Sequence, residues 1–309
     1  MENESIQIFN NWTIKPLSNR PHSIKKSGFY FFLITLIFQF MLADYLVTNP
    51  DSLLTNGCDY LIVTHDSFTD ALYPLCQLRD SLGLEMRMAE VSLIYTVFDS
   101  GPRTDRIRKF VERVYNYWDP RPEYLLLVGD ACKDTNLGDY VPVKRFPKFS
   151  YYYYGGLQEH GADNWYVTLE GNDSIPDMIV GRLPVNSLAG AESVVNKIIR
   201  YETSPDTGLW TRTVMLLAST DRLSFATELD TTFFQPARDS VYKVYESQGS
   251  SAYLRQKTRA GFNQGAVFLV QVTHGGQPPG WYGSRTLFLY DDVDSLYNLD
   301  KLSIVIGRG

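Results

Sequence analysis

The chain of 309 residues is long enough for two domains of ordinary size, and its hydrophobic content of 44% is sufficient for buried cores. The net charge of −6, with no basic stripe interleaved with aromatic residues, argues against nucleic acid as a partner. Three cysteines, Cys58, Cys76 and Cys132, are too few for a disulfide framework. The sequence contains no CxxC, HExxH or Walker motif, so it gives no basis for a zinc site or a nucleotide-phosphate site.

The N-terminal region has the layout of a secretory signal. Lys25 and Lys26 precede an apolar run over residues 29–42, and Asp44 ends that run before it reaches the length of a full membrane span. We therefore expect residues 1–57 to be a leader that engages the membrane and an export machinery, giving a secreted or cell-surface protein. A signal anchor is the alternative.

Residues 58–204 are predicted to form a first α/β subdomain. Strands and helices alternate along this region, which is typical of a parallel sheet covered on both faces. The predicted strands are 60–64, 85–91, 124–130, 163–171 and 175–182, and the predicted helices are 71–82, 105–118 and 188–202. The second of these helices has apolar residues at helical spacing, namely Ile107, Phe110, Val111, Val114 and Tyr115.

Residues 205–309 repeat the alternation and are predicted to form a second α/β subdomain. The predicted strands are 213–218, 252–254, 268–273 and 302–306, with a mainly helical segment over 231–248. Because the sequence stops three residues after its last apolar strand, without a covering helix, we expect this subdomain to be incomplete and the chain to be a fragment.

The strand that begins at Phe268 ends in Thr273-His274-Gly275-Gly276. Catalytic groups of open α/β sheets gather at the carboxyl ends of strands, and a histidine there can act as a general base near neutral pH. The two glycines allow a tight turn and leave backbone N–H groups free to face a developing oxyanion. The alternative is a histidine that caps the strand through a structural hydrogen bond.

The order of these segments resembles the gingipain-type cysteine peptidases, over residues 59–309. The stretches that carry the resemblance are 60–64, 124–130, 163–166, 176–182, 197–202 and 274–275. It implies a caspase-like α/β fold of two parallel-sheet subdomains, and an endopeptidase that cuts protein or peptide substrates by a Cys–His mechanism. The chemistry would need no cofactor.

The resemblance also assigns roles to individual residues. His274 would be the catalytic histidine, and the N–H of Gly275 would contribute to the oxyanion hole. The family's cysteine would fall at the end of the strand 302–306 or just beyond it. No cysteine follows His274 in this sequence, so we expect the polypeptide to lack its nucleophile. Cys132, at a predicted strand end, is a weaker alternative nucleophile.

Further carboxylates have a functional and a structural interpretation. Asp177 would orient the catalytic histidine by the resemblance, or it would bond to a turn at the start of a strand. Structural calcium is also implied by the resemblance, and solvated acidic loops are the alternative. The carboxylates considered for calcium are Asp163, Asp173, Asp291, Asp292 and Asp294.

Two other functions remain open from the sequence. One is a catalytically inactive surface or binding module derived from such a peptidase, which a missing nucleophile would favour. The other is a sortase-like transpeptidase of type IX secretion, which would transfer the acyl group to an amine instead of water. A nucleotide-binding α/β protein is disfavoured because residues 64–67 after the first strand lack a glycine-rich loop.

Overall fold

A computed structural model describes residues 45–132, 138–147, 159–171, 173–203, 207–237, 240–276 and 280–308. The apolar run 29–42 of the predicted leader lies outside these residues. Within the described part of the chain, no helix has the length and apolar character needed to cross a membrane.

Short strands alternate with helices along most of the described chain. The α-helices are, in chain order, α1 Pro50–Leu54, α2 Thr69–Ser81, α3 Val91–Val97, α4 Arg103–Tyr117, α5 Leu188–Thr203, α6 Leu223–Leu229, α7 Gln235–Ala237 and α8 Ser251–Gln264. The strands are β1 Tyr60–Thr64, β2 Met86–Glu90, β3 Tyr124–Val128, β4 Lys144–Pro147, β5 Glu159–Ala162, β6 Ile179–Leu183, β7 Thr213–Ala218, β8 Ser240–Tyr245, β9 Phe268–Val272, β10 His274–Gly276, β11 Gly280–Tyr282, β12 Thr286–Leu289 and β13 Ile304–Arg308.

The described residues form two compact units. The first comprises 45–66, 84–128 and 141–182, and the second comprises 67–83, 129–140 and 183–308. They differ from the contiguous ranges 58–204 and 205–309 expected from the sequence, because α2 and α5 group with the second unit. In that unit α2 packs on α5, and the Arg79 guanidinium binds both carboxylate oxygens of Glu202.

The first unit is built on a four-stranded sheet of order β2-β1-β3-β6, in which β1 runs parallel to β2 and to β3. Strands β1 and β3 are short apolar runs, as expected for strands of a parallel sheet that are buried on both faces. Leu61 and Leu127 of the sheet pack with Phe110 of α4, and all three side chains are fully buried. The apolar stripe predicted for this helix is confirmed as its buried face.

The second unit contains a four-stranded parallel sheet of order β13-β9-β7-β8. Successive residues of β7 point to opposite faces, and each face has its own core. Met215 and Leu217 pack with Leu254 of α8, whereas Val214 and Leu216 lie in the cluster that α6 covers. A three-stranded antiparallel sheet, β10-β11-β12, follows β9 directly, so that it extends from the end of the buried strand.

Three sequence-based assignments of secondary structure are wrong. The strand expected over 163–171 is a 3-10 helix, Asp163–Tyr166, because the Tyr166 ring turns into the core, where its hydroxyl donates to the Pro142 carbonyl at 2.7 Å. The strand expected over 252–254 belongs to α8, which begins after the N-cap Ser250. The helix expected over 231–248 ends at α7, because the alternating sequence that follows forms β8 instead.

Candidate active site

His274 and Asp221 lie at the carboxyl edge of the second sheet. Strands β7 and β9 are parallel neighbours, and their last residues, Ala218 and Val272, are partners in the register. The Ser219 N–H donates to the Val272 carbonyl at 3.2 Å, which ties the two strand ends together. The chain then brings Asp221 into a 3-10 turn, Thr220–Arg222, and His274 into the first position of β10.

The imidazole and the carboxylate are in direct contact. Nε2 of His274 lies 2.9 Å from Oδ2 of Asp221, with 44% of the His274 side chain and 55% of the Asp221 side chain exposed. A substrate can therefore reach the imidazole ring while Nε2 stays in contact with the Asp221 carboxylate. The prediction that His274 lies where a strand ends is confirmed, and its catalytic role stays a prediction.

The ionisation of Asp221 decides which nitrogen of the imidazole is free. The Ser219 hydroxyl, and after it the His274 ring, hold the pKa of the Asp221 carboxyl below its ordinary value. At neutral pH the carboxylate is ionised and can only accept a hydrogen bond. Nε2 must therefore donate, which leaves Nδ1 of the neutral ring with the lone pair that a general base needs.

A buried glutamate is hydrogen-bonded to the turn that carries Asp221. Glu246 follows β8 and is 1% exposed. Its Oε2 accepts the Thr220 N–H at 2.7 Å, and its Oε1 accepts the Arg285 N–H at 2.6 Å. Burial acts to raise the pKa of Glu246, but the hydrogen bonds from Thr220, Arg285 and Ser284 outweigh it, so the pKa lies below its ordinary value. The buried group is thus an anion held by backbone donors.

Hydrogen bonds from a buried side chain also fix the backbone that precedes His274. Gln271 is buried, and its Nε2 donates to the Thr273 carbonyl at 2.9 Å and to the Thr273 hydroxyl. Gly275 lies in β10 opposite Trp281, and among the described residues a Cβ at this glycine would come within 4 Å of the Gly280 carbonyl oxygen alone, at 3.9 Å. The role of Gly275 in an oxyanion hole stays a prediction.

Asp177 belongs to the first unit, where it is bonded to a turn. Its Oδ2 accepts the N–H groups of Leu169 and Glu170, at 2.6 and 2.8 Å. The hydrogen bond from Glu170, followed by that from Leu169, lowers the pKa of the Asp177 carboxyl. This geometry matches the structural alternative that the sequence left open. The orienting role assigned to Asp177 stays a prediction, and the carboxylate in contact with His274 is Asp221.

The carboxylates considered for calcium do not form a metal site in the described residues, which contain no group of three or more His, Cys, Asp or Glu side chains suited to a metal ion. Asp163 binds the Arg182 guanidinium through both oxygens, at 2.7 Å each. Asp292 binds Arg255 and Arg259. These two carboxylates are neutralised by arginines, which leaves them poorly suited to a cation.

Two of the three cysteines are inert by burial. Cys58 and Cys76 are fully buried, and burial raises the pKa of both thiols, that of Cys76 to about 12. A buried thiol with a raised pKa supplies almost no thiolate near neutral pH. Neither residue fits the nucleophile of a Cys–His pair, and Cys132 is a partly buried free thiol.

Asp221 and Glu246 are the functional candidates that sequence reasoning missed. Each follows a strand end, as His274 does, and that position was the available signal. The signal is weak because it depends on which strands are neighbours. A short polar turn after a strand becomes a candidate site only once β7, β8 and β9 are known to end at one edge.

Comparisons with known proteins identify the family and the fold of this chain. A sequence model of peptidase family C25 matches residues 54–309. No curated protein matches the chain at a significant level.

Solved structures match over most of this chain. The crystal structure of the Arg-specific cysteine proteinase gingipain R (RgpB) has a TM-score of 0.64 at 19% identity, covering 82% of this chain and 54% of that one. The complex of the pro- and mature domains of Porphyromonas gingivalis RgpB has a TM-score of 0.65 at 18% identity, covering 80% and 55%. A structure described only as a protease has a TM-score of 0.60 at 20% identity, covering 83% of this chain and 52% of that one. This chain thus spans just over half the length of each, and the likeness confirms the expected caspase-like α/β fold.

Proposed function

This chain belongs to peptidase family C25, and we propose that it carries the histidine and the orienting carboxylate of a Cys–His endopeptidase site. The observation that supports the proposal most is the 2.9 Å contact between His274 Nε2 and Asp221 Oδ2 at the carboxyl edge of a parallel sheet. In this assignment Asp221 fixes the ring, and Nδ1 of His274 exchanges protons with the nucleophile and the leaving group.

The proposed reaction is acyl transfer from a peptide bond to water. His274 takes the thiol proton, and the thiolate sulfur attacks the scissile carbonyl carbon, forming a C–S bond and an oxyanion. The N–H of Gly275 donates to that oxyanion. The C–N bond then breaks as the imidazolium protonates the leaving amine. Water hydrolyses the thioester after giving a proton to His274, which releases the carboxylic acid and restores the thiol.

The nucleophile would come from the strand on the other side of β9. Strand β13 is parallel to β9, and Arg308 is the register partner of Val272, two residues before His274. Parallel neighbouring strands end at the same edge of a sheet, so chain that continues beyond β13 would start at the edge where the imidazole lies. We assign the cysteine of the mechanism to the first few residues beyond Gly309 in a longer form of the protein.

The test is made on the reading frame continued beyond the codon for Gly309. We expect a cysteine within a few residues, and the longer protein should react at that cysteine with a peptidyl thiol-directed inhibitor. His274→Ala should abolish the labelling, whereas Cys76→Ala, which removes a buried thiol, should leave it intact. Labelling that survives His274→Ala would contradict the assignment of the base. Transfer of the acyl group to an added amine would identify a transpeptidase.

A second candidate is a catalytically inactive binding module. It is favoured by the burial of Cys58 and Cys76, which raises the pKa of both thiols and leaves neither suited to act as a nucleophile. The same experiment separates the two candidates. A reading frame that ends after Gly309, with no inhibitor labelling of the purified protein, would support the inactive module.

Export to the cell surface or the medium is part of the proposal. It is supported by the basic residues Lys25 and Lys26 ahead of the apolar run 29–42. Residues 1–57 fused to a phosphatase that is active only outside the cytoplasm should give activity. Replacing two leucines of the run, Leu33 and Leu36, by arginine should remove that activity, and an unchanged signal would contradict export by this segment.

A further inference from the structure

We propose that Glu246 is a positioning residue of the proposed peptidase site, which locks the turn bearing Asp221 and the sheet that begins at His274 into one arrangement. The proposal rests on the function proposed above, because it assigns a role in the same site to a residue that never reaches the substrate. Glu246 is 1% exposed, and both of its carboxylate oxygens are engaged by backbone donors.

One carboxylate oxygen of Glu246 binds the turn that carries Asp221. Oε2 accepts the N–H of Thr220, the first residue of the 3-10 turn Thr220–Arg222, at 2.7 Å. The N–H groups at the start of such a turn have no partner within it, so an anion placed there fixes the direction in which the turn begins. Asp221 is the next residue, and its carboxylate follows this direction toward the imidazole.

The other carboxylate oxygen of Glu246 binds the sheet β10-β11-β12, which begins at His274. Oε1 accepts the N–H of Arg285 at 2.6 Å, at the hairpin turn between β11 and β12. The Arg285 guanidinium returns a hydrogen bond from Nη1 to the Glu246 carbonyl at 3.3 Å. Strand β11 in turn pairs with β10, where Tyr282 is the partner of His274. A single side chain therefore couples the two segments that must meet at 2.9 Å.

Close packing leaves this junction little room to relax. A Cβ on Gly283, in the hairpin turn, would lie 2.4 Å from Glu246 Oε2 and 2.7 Å from Ser219 Cβ. The hairpin thus approaches both the glutamate and the residue that precedes the Asp221 turn. A glutamine at 246 has one acceptor oxygen, and its NH₂ group would face a backbone N–H, so one of the two segments must be released.

The experiment measures the His274 Nε2 to Asp221 Oδ2 distance in crystal structures of the full chain and its variants. In Glu246→Gln we expect the distance to exceed about 3.5 Å, beyond hydrogen-bonding range. Thr220→Pro removes both groups of the turn that bond to Glu246, the Thr220 N–H and its hydroxyl, and it suits the extended Ser219 before it, with φ −75° and ψ 159°. We expect the same separation, so the test survives if Glu246→Gln does not fold.

Asp292→Asn is the matched control. Asp292 is a second buried carboxylate of the same unit, bonded to Arg255, Arg259 and the Leu289 N–H, none of which belongs to the Asp221 turn. It should reduce stability but keep the 2.9 Å contact. Folded Glu246→Gln and Thr220→Pro proteins that also keep the contact would overturn the proposal, as would loss of the contact in Asp292→Asn.

Kinetics of the longer, cysteine-bearing form give a second readout. In Glu246→Gln we expect kcat to fall between about 10- and 100-fold while KM changes less than about twofold, because a displaced base slows chemistry without removing substrate contacts. An unchanged kcat would overturn the positioning role. If the unmutated longer form is inactive, the proposed function fails, and the crystallographic distances still decide whether Glu246 holds the pair.

Discussion

The buried ion cluster around Asp292 is expected to contribute to the stability of the second unit, and Asp292→Asn tests this directly. The side chain is fully buried. Arg255 donates to it through Nε and Nη2 at 2.9 Å each, Arg259 donates through Nη1 at 2.8 Å, and the Leu289 N–H donates at 2.8 Å. One carboxylate therefore joins α8 to the end of β12.

The expected change in the free energy of unfolding depends on how well the two arginines are solvated once they lose their partner. Breaking a buried ion pair by removing one partner costs about 3–5 kcal/mol. Here 32% of the Arg255 side chain and 35% of the Arg259 side chain are exposed, so water can solvate part of each guanidinium that the substitution frees. The asparagine oxygen also keeps one acceptor position. We expect the free energy of unfolding to fall by about 2–3 kcal/mol, below the fully buried case.

The loss should also depend on pH. Burial acts to raise the pKa of Asp292, but the hydrogen bonds from Arg255 and Leu289 and the charges of Arg255 and Arg259 outweigh it, so the folded-state pKa lies below the ordinary value. A carboxyl whose pKa is lowered by folding contributes stability above its unfolded pKa of about 3.9. The contribution disappears as pH falls through the folded value. The difference between wild type and variant should be constant from about pH 5 to 8 and shrink below about pH 4.

The assay is urea unfolding of both proteins at several pH values, with and without a calcium chelator. A difference below about 0.5 kcal/mol at neutral pH, within the range of ordinary surface substitutions, would refute the reasoning, as would one that grows on acidification. A difference that appears only without chelator would show that Asp292 acts through calcium instead of through its arginines.

Three further predictions concern the packing and the site. Gly283→Ala should lower the free energy of unfolding in urea by about 1–3 kcal/mol, because the added methyl group would lie 2.4 Å from an oxygen of the buried glutamate; no change would contradict that contact. Cys58 and Cys76 should resist a maleimide at pH 8 and react only on unfolding, as read by mass spectrometry, because burial raises their thiol pKa. Asp221→Asn should change the ring nitrogen signals of the site histidine in NMR spectra, and Asp177→Asn should not; the reverse would favour the assignment made from sequence.

The sequence predicted the regular part of the fold well. Strands such as Tyr60–Thr64 and Thr213–Ala218 begin and end where the apolar runs do, because a strand buried on both faces needs an unbroken run. The helix Arg103–Tyr117 was found from its apolar period. The errors fall where the pattern is short or mixed. Residues 252–254 lie in a helix that starts at its serine cap, a local signal that outweighs three residues of apparent strand.

The candidate site was predicted only in part, for a reason that lies in the topology. His274 could be found because it follows a long apolar strand within the sequence itself. Asp221 could not be found, because it becomes a candidate only when β7 is known to lie next to β9. No single segment of the sequence determines the order of strands in a parallel sheet. Asp177 was chosen instead because it also stands beside a strand, in a stretch that carries the family resemblance.

Glu246 illustrates why a buried acidic residue at a strand end indicates function more strongly than an exposed one. An isolated buried charge is costly, so it persists only where several donors converge on it. At Glu246 those donors are backbone N–H groups of Thr220 and Arg285, which come from two different loops. The glutamate therefore cannot move without releasing one loop. Replacing Glu246 should therefore separate Asp221 from His274, although neither of those two residues is changed.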